Sequence, residues 1–135
     1  MLVEMIKLHE GLSLRPYKCT AGKLTIGVGR NIEDNGISEE ESDFLLQNDI
    51  KRCEKELESL SFWGSLDEVR KCVLIDMCFN LGITRLKGFK KTLGYISVGS
   101  YENAANEMLD SNWADQVGQR AQRLSLMMKT GEWYD

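Results

Sequence analysis

Apolar positions change their spacing along the chain, and each spacing predicts a different element. Over residues 2–10, Leu2, Met5 and Ile6 form one apolar side of a short helix, with Gly11 placed to end it. In "KLTIGVG", Leu24, Ile26 and Val28 alternate with Thr25, Gly27 and Gly29, which is the period of a strand. Residues 14–29 therefore predict a β-hairpin with Pro16 on an edge strand. A loop at residues 21–23 pairs residue 20 with 24 and residue 19 with 25. Directly opposed residues share a face, so Cys19 and Thr25 are expected together on a polar face, away from the core face of Leu24, Ile26 and Val28.

The spacing then becomes helical. Ser38 and Glu41 make a capping box, and Leu46, Ile50, Cys53, Leu57 and Leu60 follow as one apolar stripe, so a long helix is expected to end near Leu60. Residues 66–81 are the most apolar helix, broken between Val73 and Phe79 only by Asp76, which predicts a central, surrounded position ending at Gly82. Shorter helices are expected over about 86–97, 101–112 (with Ser100 as N-cap) and 115–129. This order predicts an α+β domain with a small β lobe.

A chain of 135 residues is one domain by length. It has no apolar run near the roughly 18 residues of a membrane span. "MLVEMIKLHEG" carries charges inside its apolar stretch and does not read as a signal peptide, so synthesis and folding are expected in the cytosol, with no stable membrane association. The net charge of −4 is uneven: residues 33–58 hold ten acids against three bases. No basic stripe dominates, which argues against nucleic acid. Arg85, Lys87, Lys90 and Lys91 still offer a local positive surface to an anionic substrate. The cysteines are Cys19, Cys53, Cys72 and Cys78, with no CxxC pair and His9 as the only histidine, so neither a zinc site nor a cofactor is expected. Cys53, Cys72 and Cys78 read as core thiols, whereas Cys19 lies in a polar turn.

Glu10 breaks a local rule. A carboxylate at a helix C-terminus faces the negative end of the dipole, an unfavourable placement costing about 0.3–1 kcal/mol. Either the residue is simply solvated there, or it is held as a proton donor, since such a setting favours the protonated acid. Cys19 and Thr25 leave a similar choice. A thiol beside a hydroxyl can hold a water molecule, or the pair is a half-exposed cysteine next to an ordinary strand threonine.

Glu10, eight residues, Cys19, five residues and Thr25 resemble the signature of the phage-type lysozymes of glycoside hydrolase family 24. "HEGLSLRPYK", "TIGVGR", "ISEEESDFLLQNDI", "LDEVRKCVLIDMCFNLG", "KGF" and "NEMLDSNWADQVGQRAQRL" are similar to the family in its own order over nearly the whole chain. The resemblance implies a muramidase cutting the β-1,4 bond between N-acetylmuramic acid and N-acetylglucosamine in peptidoglycan. It implies Glu10 as general acid, Thr25 positioning water or sugar, and Cys19 in the place more familiar as Asp in the family's T-even phage member. A thiol has an ordinary pKa of about 8.5, so the second of the two usual carboxylates is replaced by a group mostly neutral near neutral pH. As a thiolate it could activate water, stabilise the oxocarbenium-like state or attack carbon.

The same resemblance implies glycan contact by Asn80 and Arg120. Arg120 is expected to pair with Glu10 or to form a buried structural pair. Trp113 and Trp133 are expected as packing aromatics rather than sugar platforms. The implied lysozyme-like fold has an N-terminal lobe over about 11–37, a connecting helix over about 38–60, and a helical C-terminal lobe over about 61–135 packed with helix 2–10. The family further implies a monomer held in the host bacterial cytoplasm until a holin-type partner opens a route to the wall. Three other readings are compatible with the residues: a lytic transglycosylase, a Cys19/His9 wall amidase or peptidase, and a glycan-binding module without activity.

Overall fold

A computed structural model describes residues 1–134. The chain divides into two compact units, Met1–Leu45 and Leu46 onward. Among the described residues the class is α+β: mostly helical with one small antiparallel sheet.

The first unit opens with α1 (Leu2–Glu10). The α-amino group of Met1 donates to Glu4 Oε2 at 2.6 Å across the first turn, and Gly11 N–H closes the last turn on Lys7 O. Three strands follow, β1 (Ser13–Lys18), β2 (Leu24–Gly27) and β3 (Arg30–Asn31), in the order β1-β2-β3. The third strand goes beyond the expected hairpin and makes β2 central. Pro16 does lie on an edge strand, in a stretch where the β1–β2 ladder is irregular between Ser13 and Tyr17. A residue without an N–H fits such a gap.

A short helix, α2 (Ile32–Asn35), is capped by Asn31, whose side chain accepts from Asp34 N–H. The long helix α3 (Glu39–Leu57) then begins. Its capping box is present as read: Ser38 Oγ accepts from Glu41 N–H at 3.1 Å, and Glu41 Oε1 accepts from Ser38 N–H at 2.8 Å. Arg30 adds an ion pair to Glu41 at 2.6 Å, tying the end of the sheet to the start of α3. The helix stops at Leu57, three residues before the expected end, and continues as a turn in which Leu60 N–H reaches Leu57 O.

The second unit holds the rest of α3, a 3-10 turn at Trp63–Ser65, α4 (Glu68–Leu81), α5 (Ile83–Lys87), α6 (Lys90–Ser97), α7 (Tyr101–Leu109), α8 (Asn112–Val117) and α9 (Gln119–Thr130). Leu57, Val73, Leu74, Met77, Leu86, Met108 and Met128 are fully buried in one core. Trp113 joins it, edge-on to Phe89 with centroids 6.1 Å apart. The helix expected over 86–97 is instead two, because the chain turns at Gly88–Phe89. The helix expected over 115–129 is likewise two, broken at Gly118. α7 ends at Leu109 rather than 112 because Ser111 caps α8, its Oγ accepting from Ala114 N–H. Ser100 stands at the N-cap of α7 with its hydroxyl taken by the Asn103 amide rather than by backbone.

α4 is central on one side only. Val73, Leu74, Met77 and Cys78 are buried, while Phe79 is 46% exposed. Its start is fixed by Asp67, which caps Arg70 N–H. Arg70 then reaches across the unit to the end of α9, donating from Nε to Met128 O at 2.7 Å and from Nη2 to Lys129 O at 3.1 Å. Its guanidinium lies 3.6 Å above the Tyr101 ring centroid. Cys53 and Cys78 are core thiols as expected, and Cys72 is half-buried. Burial, and then the neighbouring Cys53 thiol, push the Cys78 thiol up to about 12.

Candidate active site

Glu10 is the last residue of α1. Its side chain turns onto the β2–β3 turn and rests on Gly29, where a Cβ would lie 2.5 Å from Glu10 Oε2 and 2.8 Å from Cδ. Gly29 also has φ +67°, a conformation that disfavours a side chain. Glycine is therefore required at position 29 on two counts, and the carboxyl group occupies the space its missing side chain leaves.

Cys19 opens the loop between β1 and β2. Its N–H donates to Lys23 O at 2.9 Å, and Gly22 N–H donates to Cys19 O at 2.8 Å. Gly22, at φ +77°, takes the left-handed position of a three-residue loop, Thr20–Ala21–Gly22. This loop sets the register. Lys18 faces Leu24 and Tyr17 faces Thr25, so Cys19 does not lie directly opposite Thr25 as a 21–23 loop would have placed it. The slip is by two residues, and a two-residue slip preserves the face. Cys19 and Thr25 remain diagonal neighbours on one side of the sheet, within reach of each other.

The sense of that face differs from expectation. Thr25 is 2% exposed, while Leu24 is 37% exposed. As the central-strand residue, Thr25 is flanked by Tyr17 on one side and Asn31 on the other, and so it is covered. Its hydroxyl donates to Lys23 O at 2.8 Å.

The Cys19 sulfur sits among donors. A backbone hydrogen bond from Lys23, then one from Ala21, then one from the Thr25 hydroxyl hold its pKa below the ordinary thiol range. The single Thr25 proton can turn between Lys23 O and the sulfur, because a hydroxyl hydrogen rotates to suit its partners. These groups favour the thiolate by hydrogen bonding. His9 is not among them. Lys23 is itself anchored, its ammonium 3.2 Å from Asp34 and 3.6 Å from Glu33 on α2, while Glu33 also accepts from Leu24 N–H. The supporting groups Ala21, Lys23 and Gly29 escaped the sequence reading. Two of them act through backbone, and the third through having no side chain.

The sequence that builds this geometry matches a known family. The phage lysozyme family model aligns with residues 7–128. The chain belongs to the phage lysozyme family. It is 30% identical over 158 aligned residues to a probable T4-type lysozyme 1 of Dictyostelium discoideum, covering 95% of this chain and 93% of that one. It is 28% identical to the pre-baseplate central spike protein Gp5 of Enterobacteria phage T4, over 96% of this chain and 28% of the longer protein. An endolysin of Acyrthosiphon pisum secondary endosymbiont phage 1 is 30% identical over 86% of this chain and 80% of its own. As a family member the protein is a lysozyme-type glycosidase, a peptidoglycan hydrolase.

Two further residues implied by the family lie in the second unit. Asn80, exposed near the end of α4, accepts the Trp113 indole N–H at 2.8 Å, which leaves its amide NH2 outward for other partners. Arg120, on α9, donates from Nε to Asp76 Oδ1 at 2.8 Å and from Nη2 to Asp76 O at 3.4 Å. Its ion pair is thus with Asp76, and it is a half-exposed pair rather than a buried one. Both partners line a groove of about 1130 Å³ with Phe79, Trp133 and Tyr134. Trp113 is a core aromatic as expected, but Trp133 is 61% exposed. Lys90 and Lys91 line a hollow that also holds Glu107 and Asp110, so the basic stretch there is offset by acids.

Proposed function

We propose that this lysozyme cleaves the β-1,4 bond between N-acetylmuramic acid and N-acetylglucosamine, with Glu10 as general acid and with Cys19 and Thr25 holding and activating the attacking water. The reading rests above all on two placements within the first unit: Glu10 is seated on Gly29 at the β2–β3 turn, and the Cys19 sulfur, in the β1–β2 loop, lies among backbone and hydroxyl donors that favour the thiolate. In this mechanism Glu10 delivers a proton to the leaving glycosidic oxygen as the bond breaks. A thiolate at Cys19 stabilises the cationic sugar and draws a proton from water, and Thr25 orients that water through its rotatable hydroxyl. The freed amide of Asn80 and the outer guanidinium nitrogens of Arg120 contact the glycan. The enzyme acts as a monomer, waits in the host cytoplasm and reaches the wall through a holin-type partner.

Product masses from purified peptidoglycan test the reaction type. Hydrolysis yields fragments carrying one added water and a reducing N-acetylmuramic acid end. Anhydro-sugar ends would overturn the proposal in favour of a transglycosylase, and cleaved amide bonds with intact glycan would overturn it in favour of a Cys19/His9 amidase.

A further inference from the structure

Cys53 and Glu56 stand three residues apart on α3, so both project from one face of the helix. Cys78, on α4, comes up against them. The two sulfurs and a Glu56 carboxylate oxygen lie within 4.8 Å of one another. Both thiols are 2% exposed, within an otherwise apolar core. Glu56 reaches this pair from the surface, its side chain 37% exposed, and its only ion-pair partner among the described residues is Arg52 at 3.9 Å. The three groups assemble a donor set of two sulfurs and one oxygen.

We propose that Cys53, Cys78 and Glu56 form a binding site for one thiophilic divalent cation such as zinc or cadmium. Two thiolates and a carboxylate select soft or borderline cations over magnesium or calcium. Tetrahedral zinc with Zn–S near 2.3 Å needs its sulfurs roughly 3.8 Å apart, so from a separation of at most 4.8 Å the two sulfurs close by about an ångström or less. The fourth position, on the Glu56 side, opens toward solvent and takes a water. Binding displaces both thiol protons to solvent and changes no oxidation state. Three ligand charges against a dication leave one negative charge, which Arg52 is placed to offset. The site is invisible as a sequence motif because its cysteines are 25 positions apart and lie on different helices.

The test is a cadmium titration of the reduced full chain carrying Cys19→Ser and Cys72→Ser, read by the ultraviolet thiolate-to-metal charge-transfer band. The proposal expects a band saturating at one equivalent, competed by zinc and lost in Cys53→Ser or Cys78→Ser. Should those core variants unfold by circular dichroism, Glu56→Gln decides, because its side chain is partly solvated and the change keeps its shape. Cadmium affinity should then fall at least tenfold with helix content intact. Absence of a saturating band in the reduced parent, or unchanged affinity in Glu56→Gln, would overturn the site.

Discussion

The carboxyl group of Glu10 rests on the backbone of Gly29, with no room between them for a methyl group. Gly29→Ala therefore pushes the acid off its seat. The left-handed φ adds strain of roughly 1–3 kcal/mol. Misplacing a catalytic group by about 1 Å costs on the order of 10²-fold in rate. Gly36→Ala is the matched control, since Gly36 has φ +59° and open space around its would-be Cβ. Both variants should lose similar stability in urea, but only Gly29→Ala should lose wall-lytic rate by about two orders of magnitude.

Cys19 predicts a pH dependence. Its folded-state pKa is depressed, so the thiolate forms at lower pH than in an ordinary thiol and is lost as pH falls through the folded value. Activity should rise along a thiol limb lying below the ordinary value of about 8.5. Thr25→Val removes one of the donors to the sulfur and should move that limb to higher pH. The pH dependence of Cys19 alkylation by iodoacetamide reads the same shift without reference to activity. In Cys19→Asp the limb should drop into the carboxylate range with activity retained, whereas Cys19→Ala should lose most of it. Full activity in Cys19→Ala would make the thiol a bystander.

Arg70 closes the second unit by holding the final turn of α9 and stacking on Tyr101. Arg70→Lys keeps the charge but loses the fork, and should destabilise by about 1–3 kcal/mol. Arg70→Ala should cost more, since the α9 carbonyls and the Tyr101 face lose their partner together. Equilibrium unfolding in urea with the second-unit tryptophans as probes measures both.

Asn80 separates structure from glycan contact. Its Oδ1 is the acceptor for a buried indole N–H, so Asn80→Ala should cost about 1–3 kcal/mol of stability. Asn80→Asp keeps the acceptor and removes the amide donors, at a modest cost of about 0.3–1 kcal/mol for a carboxylate at the α4 C-terminus one turn from Asp76. A raised KM in Asn80→Asp, with the urea midpoint lowered less than in Asn80→Ala, is the expected signature of glycan contact.

Local chemistry was readable along the chain where one residue's neighbours decide its structure. The Ser38–Glu41 box and the Gly11 and Gly82 ends needed only a few adjacent side chains, and the structure has them as read. The hairpin register differs from a 21–23 loop because Gly22 occupies the last, left-handed position of the loop. That Cys19 and Thr25 still meet follows from the period of two, which forgives an even slip. Thr25's burial was not readable, because it depends on a third strand at Arg30–Asn31 too short to show a pattern. The breaks at Gly88–Phe89 and Gly118 were hidden under continuous apolar spacing. Arg70 gave no signal at all, since its carbonyl partners lie 58 and 59 residues away.

The central claim is that Glu10 is the proton donor, and Glu10→Gln on purified peptidoglycan tests it most directly. The amide keeps the size and the contact with Gly29 but has no proton to give at the glycosidic oxygen. The account predicts that release of soluble muropeptides falls by about 10²–10⁴-fold while the circular dichroism spectrum and urea midpoint stay those of the parent. Release at the parental rate would contradict it.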